Sequence, residues 1–210
     1  MSRSKRIELC LLVVFALCAL TAPAASAASP AWWVNGSLLG LGATDAVAEA
    51  TTVKTAFTIK STVVSGECKV IKVKEGDIEG EKKAAVQSLV FSECVDLTDP
   101  THCFTTGFST KPLSIALEGT KGNLKLKFKP TTGTEVFTIT VTGSSCTHAG
   151  TFHVTGTMTC TYPNVETEAE RHELLFTNTS GSKLEVSGVE LELVGDDLFW
   201  LSSKLNWSAK

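Results

Sequence analysis

The chain has 210 residues, 43% of them hydrophobic and 20% charged, with a formal net charge of -3. That apolar share excludes a disordered or polyelectrolyte chain. The slightly acidic balance lacks the basic surplus of a nucleic-acid binder, and the length suits one domain or two small ones.

The N-terminus reads as an export signal. Arg3, Lys5 and Arg6 form a positive start, Leu9–Leu20 is an uncharged apolar run, and Ala25-Ser26-Ala27 matches a small-x-small cleavage site. The run is shorter than the roughly 20 residues needed to span a bilayer. Cleavage after Ala27 leaves residues 28–210, expected to form a single β-rich domain. The expected location is extracellular or loosely cell-surface associated, with no transmembrane anchor after cleavage.

The remaining chain is Thr-rich, with 28 Thr in the whole sequence, and β-branched side chains suit a half-exposed pleated surface. In chain order, strands are expected over Val53–Val64, Cys68–Lys74, Ser88–Ser92 and Leu113–Glu118. Leu124, Leu126 and Phe128 then alternate with Lys125, Lys127 and Lys129, a period-two pattern with one face in a core. Phe137, Ile139 and Val141 alternate with Thr138 and Thr140. Phe152, Val154, Met158 and Cys160 alternate with Thr151, His153, Thr155, Thr157 and Thr159. Glu173–Thr177 follows, and the short Val165–Leu174 stretch is the one weak helix candidate. Lys183–Val194 changes phase at Gly188, which predicts a bulge or a crossing between sheets. Turns are expected at Ser65-Gly66, Glu75-Gly76-Asp77, Gly119–Asn123, Thr131–Thr134, Gly143–Ser145 and Ser180–Ser182. The class is all-β: an antiparallel sandwich or barrel of ten or more short strands.

Five cysteines survive cleavage: Cys68, Cys94, Cys103, Cys146 and Cys160. Export permits disulfides, and an odd number leaves one thiol over. Cys94 and Cys103 flank one polar turn, and Cys146 and Cys160 another, so those two pairs are expected, with Cys68 free.

Several stretches together resemble a large set of uncharacterised secreted proteins of soil actinobacteria. They are Trp32-Trp33-Val34-Asn35-Gly36, Glu67-Cys68-Lys69, Leu89–Cys94, Glu170-Arg171-His172-Glu173-Leu174 and Lys204-Leu205-Asn206-Trp207. The resemblance implies secretion and a β-rich fold, and brings no activity or site residues with it.

For chemistry, the four histidines are His102, His148, His153 and His172. His148 and His153 with a carboxylate could hold zinc, but no C-x-x-C or H-E-x-x-H spacing occurs. No metal or cofactor is expected, and no G-x-S-x-G nucleophile elbow is present. Asp196-Asp197 and the Glu166/Glu168/Glu170 run are the paired carboxylates a glycosidase would use, though both read as solvated turns or edges. Trp32 and Trp33 open the mature chain, and Trp200 and Trp207 close it. Exposed, these rings would stack on sugars or apolar polymers. The simpler reading is that the terminal strands pair and bury them, with one of the adjacent Trp32 and Trp33 facing outward. The lysine stripe could attract anionic wall polymer, or guard a strand against aggregation.

The expected function is a secreted, non-enzymatic β-domain, binding cell-wall or extracellular polymer or serving a structural role. One alternative is a carrier of a small apolar ligand inside a barrel. Another is a glycoside-type hydrolase using acidic residues.

Overall fold

The structure is a computed structural model that describes residues 29–47, 53–80, 82–163, 165–177 and 180–210. The expected signal segment lies outside them. Every regular element among them is a strand. They are β1 (Trp32–Val34), β2 (Ser37–Leu38), β3 (Thr44–Val47), β4 (Val53–Lys60), β5 (Ser65–Glu79) and β6 (Lys83–Asp96). Next come β7 (Phe104–Thr105), β8 (Phe108–Ser109), β9 (Leu113–Thr120), β10 (Asn123–Pro130) and β11 (Glu135–Thr142). The last are β12 (Gly150–Thr161), β13 (Arg171–Phe176), β14 (Lys183–Val186), β15 (Val189–Trp200) and β16 (Trp207–Ala209).

Thirteen strands join one antiparallel sheet, and β16-β1-β2 form a small second one. The large sheet closes on itself. Its path β10-β9-β6-β5-β4-β15-β13-β12 returns to β10 through the β10–β12 pairing, Lys125↔Thr161 to Phe128↔Met158. The result is an eight-stranded barrel, and closure removes the unpaired edges that a sandwich would leave. The other halves of the same long strands close a second ring. There the first half of β12 pairs with β11 and β14, β14 pairs with β15, and β8 pairs with β6. A bridge between Thr110 and Phe137 links the end of β8 to β11.

Alternation explains which residues turn inward. Leu124, Leu126 and Phe128 are buried while Lys125, Lys127 and Lys129 are not, and Phe137, Ile139 and Val141 are buried in β11. One hydrophobic core runs through both rings. Its aromatic spine passes from Phe137 to Phe108 (4.9 Å), Phe91 (4.6 Å), Phe57 (5.9 Å), Phe176 (5.4 Å) and Phe128 (5.9 Å).

Several local expectations change. Val165–Leu174 is not a helix: its first part is turn, Ala169 bridges to Trp207, and β13 begins at Arg171. Tertiary pairing overrides the weak local preference there. Ser65-Gly66 and Glu75-Gly76-Asp77 lie inside β5 rather than in turns, and Glu75 takes a φ of 50° without breaking the register with β6. Gly188 marks neither a bulge nor a sheet crossing. Ser187 and Gly188, with φ of 52° and 77°, form the two-residue turn of the β14–β15 hairpin, which pairs Val186 with Val189 and Leu184 with Leu191. The hairpin puts both apolar sets on one face, so the phase change is the signature of the reversal.

The cysteine pairing also differs from expectation. Cys68 bonds Cys94, Cys103 bonds Cys146, and among the described residues Cys160 is the free, buried thiol. The β5–β6 register sets Cys68 directly opposite Cys94, which removes Cys94 from Cys103. Cys160 lies in the core opposite Leu126, while Cys146 is taken by Cys103.

Candidate functional site

The terminal strands form a cap over one end of the eight-stranded barrel. β1 and β16 pair as Trp32↔Ala209, Trp33↔Ser208 and Val34↔Trp207. This places Trp32 and Trp207 inside, 1% and 3% exposed, with their rings 5.8 Å apart. Both indole N–H groups are satisfied: Trp32 Nε1 donates to the Lys83 carbonyl at 2.8 Å, and Trp207 Nε1 to the Glu170 carbonyl at 3.1 Å. His172 supports the cap from below, its Nε2 donating to the Trp207 carbonyl at 2.7 Å. Burial holds the His172 pKa below its ordinary value, against the pull of that hydrogen bond.

Beneath the cap lies a cavity of about 40 Å³, walled almost wholly by apolar atoms of Trp32, Val86, Leu126, Phe128, Tyr162, Leu174, Phe199, Leu201 and Trp207 among others. An apolar cavity of about 150 Å³ holds one benzene, so this one is too small for a drug-sized ligand in its present shape. Larger hollows reach the surface elsewhere, among them about 360 Å³ beside Tyr162 and Glu166, about 570 Å³ between Glu75, Gln87 and Pro112, and about 290 Å³ between Ser61 and Glu190.

Trp33 and Trp200 face outward and are half-buried. Lys210 Nζ lies 5.2 Å from the Trp33 ring centre, and Arg171 Cζ lies 5.3 Å from that of Trp200. Cation–π attraction of this kind contributes about 0.5–1 kcal/mol at exposed sites. The four tryptophans therefore divide into a buried pair that seals and an outer pair set beside a positive charge.

Of the acidic candidates, the Glu166/Glu168/Glu170 run lies in a surface turn, as expected, whereas Asp196-Asp197 does not. The Glu166 carboxylate accepts from the Gly122 N–H, and Glu168 from the Gly36 N–H at 2.6 Å, so these residues tie turns together. Asp196 and Asp197 lie in mid-strand β15 and are buried, 6% and 0% exposed, rather than in a solvated turn. Asp197 Oδ1 accepts from the Leu198 N–H at 2.8 Å, while its buried Oδ2 has no hydrogen-bond partner. Burial pushes the Asp197 pKa up to about 7; the Leu198 hydrogen bond opposes the rise and the neighbouring Asp196 charge adds to it.

The histidines each take a separate partner. His102 pairs with Asp99 at 3.0 Å and His153 with Glu135 at 2.8 Å, both exposed histidines at the surface. His148 and His153 thus serve different carboxylates and form no shared zinc set. A third grouping, which no spacing motif announces, joins two segments far apart in the chain, residues 96–103 and 146–148. His148 Nε2 donates to the buried Asp96 Oδ2 at 3.0 Å, and its Nδ1 faces Cys103 Sγ at 3.6 Å and Cys146 Sγ at 3.9 Å. Asp96 Oδ1 meanwhile accepts from the Thr98 and Asp99 N–H groups. Cys103, Cys146 and His148 cluster as metal ligands would, but the two sulfurs are bonded to each other and are not thiolates.

No protein-family model, curated protein or solved structure matches this chain.

Proposed function

We propose that the chain is an exported, non-enzymatic β-barrel module acting at or near the cell surface through its outer face, as a polymer-contacting or structural component. The observation that carries this reading is the filled interior. The eight-stranded ring is packed with side chains, and its residual cavity of only about 40 Å³ is lined by Trp32 and Trp207. An apolar cargo of ordinary size would require the cap to open, which weighs against a carrier. A glycosidase needs two free carboxyl groups facing a cleft, and Glu166 and Glu168 are engaged with backbone N–H groups. What remains outward is Trp33 beside Lys210 and Trp200 beside Arg171. An indole ring with an adjacent cation suits a sugar polymer bearing anionic groups. The signal-like N-terminus and two disulfides fit an oxidising, extracytoplasmic setting.

The test is co-sedimentation of residues 28–210 with insoluble cell-wall polysaccharide, in anionic and neutral preparations. The wild type is expected in the anionic pellet, with W33A/W200A weakening binding about tenfold or more, a loss of roughly 1.4 kcal/mol. A wild type left in both supernatants, or an unchanged double variant, contradicts the polymer reading.

A further inference from the structure

The Cys103–Cys146 bridge differs from Cys68–Cys94 in what surrounds it. Cys68–Cys94 joins two strands at a registered pair inside the β5–β6 hairpin. Cys103–Cys146 instead joins two turns, the first held by the Cys103 N–H donating to the Asp99 carbonyl and the second by the Cys146 N–H donating to Gly143. Cys103 is 2% exposed, whereas Cys146 is only half-buried. Against the sulfurs lies one edge of His148, and the other edge is fixed by a carboxylate. A carboxylate can only accept, so Nε2 carries a proton and Nδ1 is the atom presented to sulfur. Asp96, fully buried and held by two backbone N–H groups, fixes this tautomer and the orientation of the ring.

We infer that Cys103–Cys146 is a thiol-exchange site, with His148 and Asp96 as the groups that favour departure of the Cys103 thiolate. An incoming thiol gives its proton to His148 Nδ1 as its sulfur attacks the more accessible Cys146 Sγ and forms a mixed disulfide with it. The Cys103–Cys146 bond breaks, its electron pair leaves on Cys103 Sγ, and the proton that His148 Nδ1 has taken from the incoming thiol passes to that sulfur. A second thiol of the same reagent then attacks its own sulfur in the mixed disulfide and releases the Cys146 thiolate. The net change is a two-electron reduction of the bridge and oxidation of the dithiol to its disulfide. Stabilising the leaving thiolate accelerates such exchange, much as a His-paired thiolate does in nucleophilic sites. Three exposed apolar side chains neighbour the site's residues in sequence: Val95 and Leu97 on either side of Asp96, and Phe104 after Cys103, at 44%, 45% and 60% exposure. They offer contact for a thiol borne on an apolar segment.

The experiment treats the folded, oxidised chain with dithiothreitol, quenches by alkylation, and maps each cysteine by peptide mass. Cys103 and Cys146 should be labelled about tenfold faster or more than Cys68 and Cys94, within the range of a positioned general acid. His148→Gln should slow opening of Cys103–Cys146 about tenfold and leave Cys68–Cys94 unchanged. A loosened fold moves the rates the other way, accelerating both bridges, so instability cannot imitate the expected result. Asp96→Asn should act in the same direction as His148→Gln. A parallel series with a cysteine-containing apolar peptide and with free cysteine separates the two thiol sources: a faster peptide supports docking at Val95, Leu97 and Phe104. Equal opening of the two bridges in the wild type, or a His148→Gln rate equal to wild type, overturns the inference.

Discussion

Asp197→Asn isolates the cost of a carboxyl group placed inside β15. In the folded chain Asp197 is fully buried, and burial raises its pKa from the ordinary 3.8 to about 7. The folded state therefore holds a proton between those values that the unfolded state releases. A raised carboxyl pKa contributes stability that is complete below the unfolded value and is lost as pH rises through the folded one. The interval is about three units at 1.36 kcal/mol each, or about 4 kcal/mol lost between pH 4 and pH 8. That is a large share of a typical net stability of roughly 5–15 kcal/mol. The Asn amide retains an oxygen for the Leu198 N–H and leaves an N–H₂ group in the position of Oδ2, at a cost of about 1–3 kcal/mol that does not vary with pH. The informative quantity is thus the difference between the two pH profiles. Urea unfolding with the bridges intact, from pH 4 to pH 8, should show wild-type stability falling relative to the variant by about 4 kcal/mol. Parallel profiles would refute the assignment of a buried, protonated Asp197.

Three further perturbations test separate parts of the fold. Gly156 has a φ of 117° where β12 passes from one ring to the other, and a Cβ there would collide with the Lys183 backbone carbonyl. Gly156→Ala should therefore lower stability by about 3 kcal/mol, seen as a fall in Tm of roughly 10 °C, and an unchanged Tm would remove the close-approach argument. Trp207→Ala removes a ring packed on Trp32, Tyr162 and His172 at 5.8, 5.7 and 4.5 Å. It should cost about 3–5 kcal/mol in denaturant midpoint, and a loss below 1 kcal/mol would mean that the cap contributes little. In residues 28–210, iodoacetamide should spare the native protein and, after denaturation without reductant, label Cys160 alone. Burial both shields that thiol and raises its pKa. Labelling of Cys68 instead would overturn the pairing.

The fold class was legible because period-two alternation is a local property. Leu124–Phe128 and Phe137–Val141 show it plainly, and both run as strands with that face buried. Pairing of the terminal strands was legible too, since four tryptophans at the two ends favour mutual burial. Closure was not, because it rests on β10 meeting β12 across an intervening strand. The same limit governs the cysteines. Proximity along the chain suggested Cys94–Cys103, whereas the β5–β6 register, set by many pairs between Ser65 and Asp96, fixes Cys68 against Cys94. The His148–Asp96 contact joins residues 52 apart in sequence, and no spacing motif announces it. Asp196-Asp197 misled for a different reason. Two adjacent charges ordinarily mark a turn, and only the pairing of β15 with both β4 and β13 reveals that they are buried.

The most direct test of a filled, capped barrel is the mass of the protein isolated from its producing cell, native and then denatured, without reductant. The account predicts equal masses in both states, each four hydrogens below the reduced chain for the two bridges. Additional mass in the native spectrum that disappears on denaturation would show an enclosed ligand, and would contradict a barrel whose interior is occupied by its own side chains.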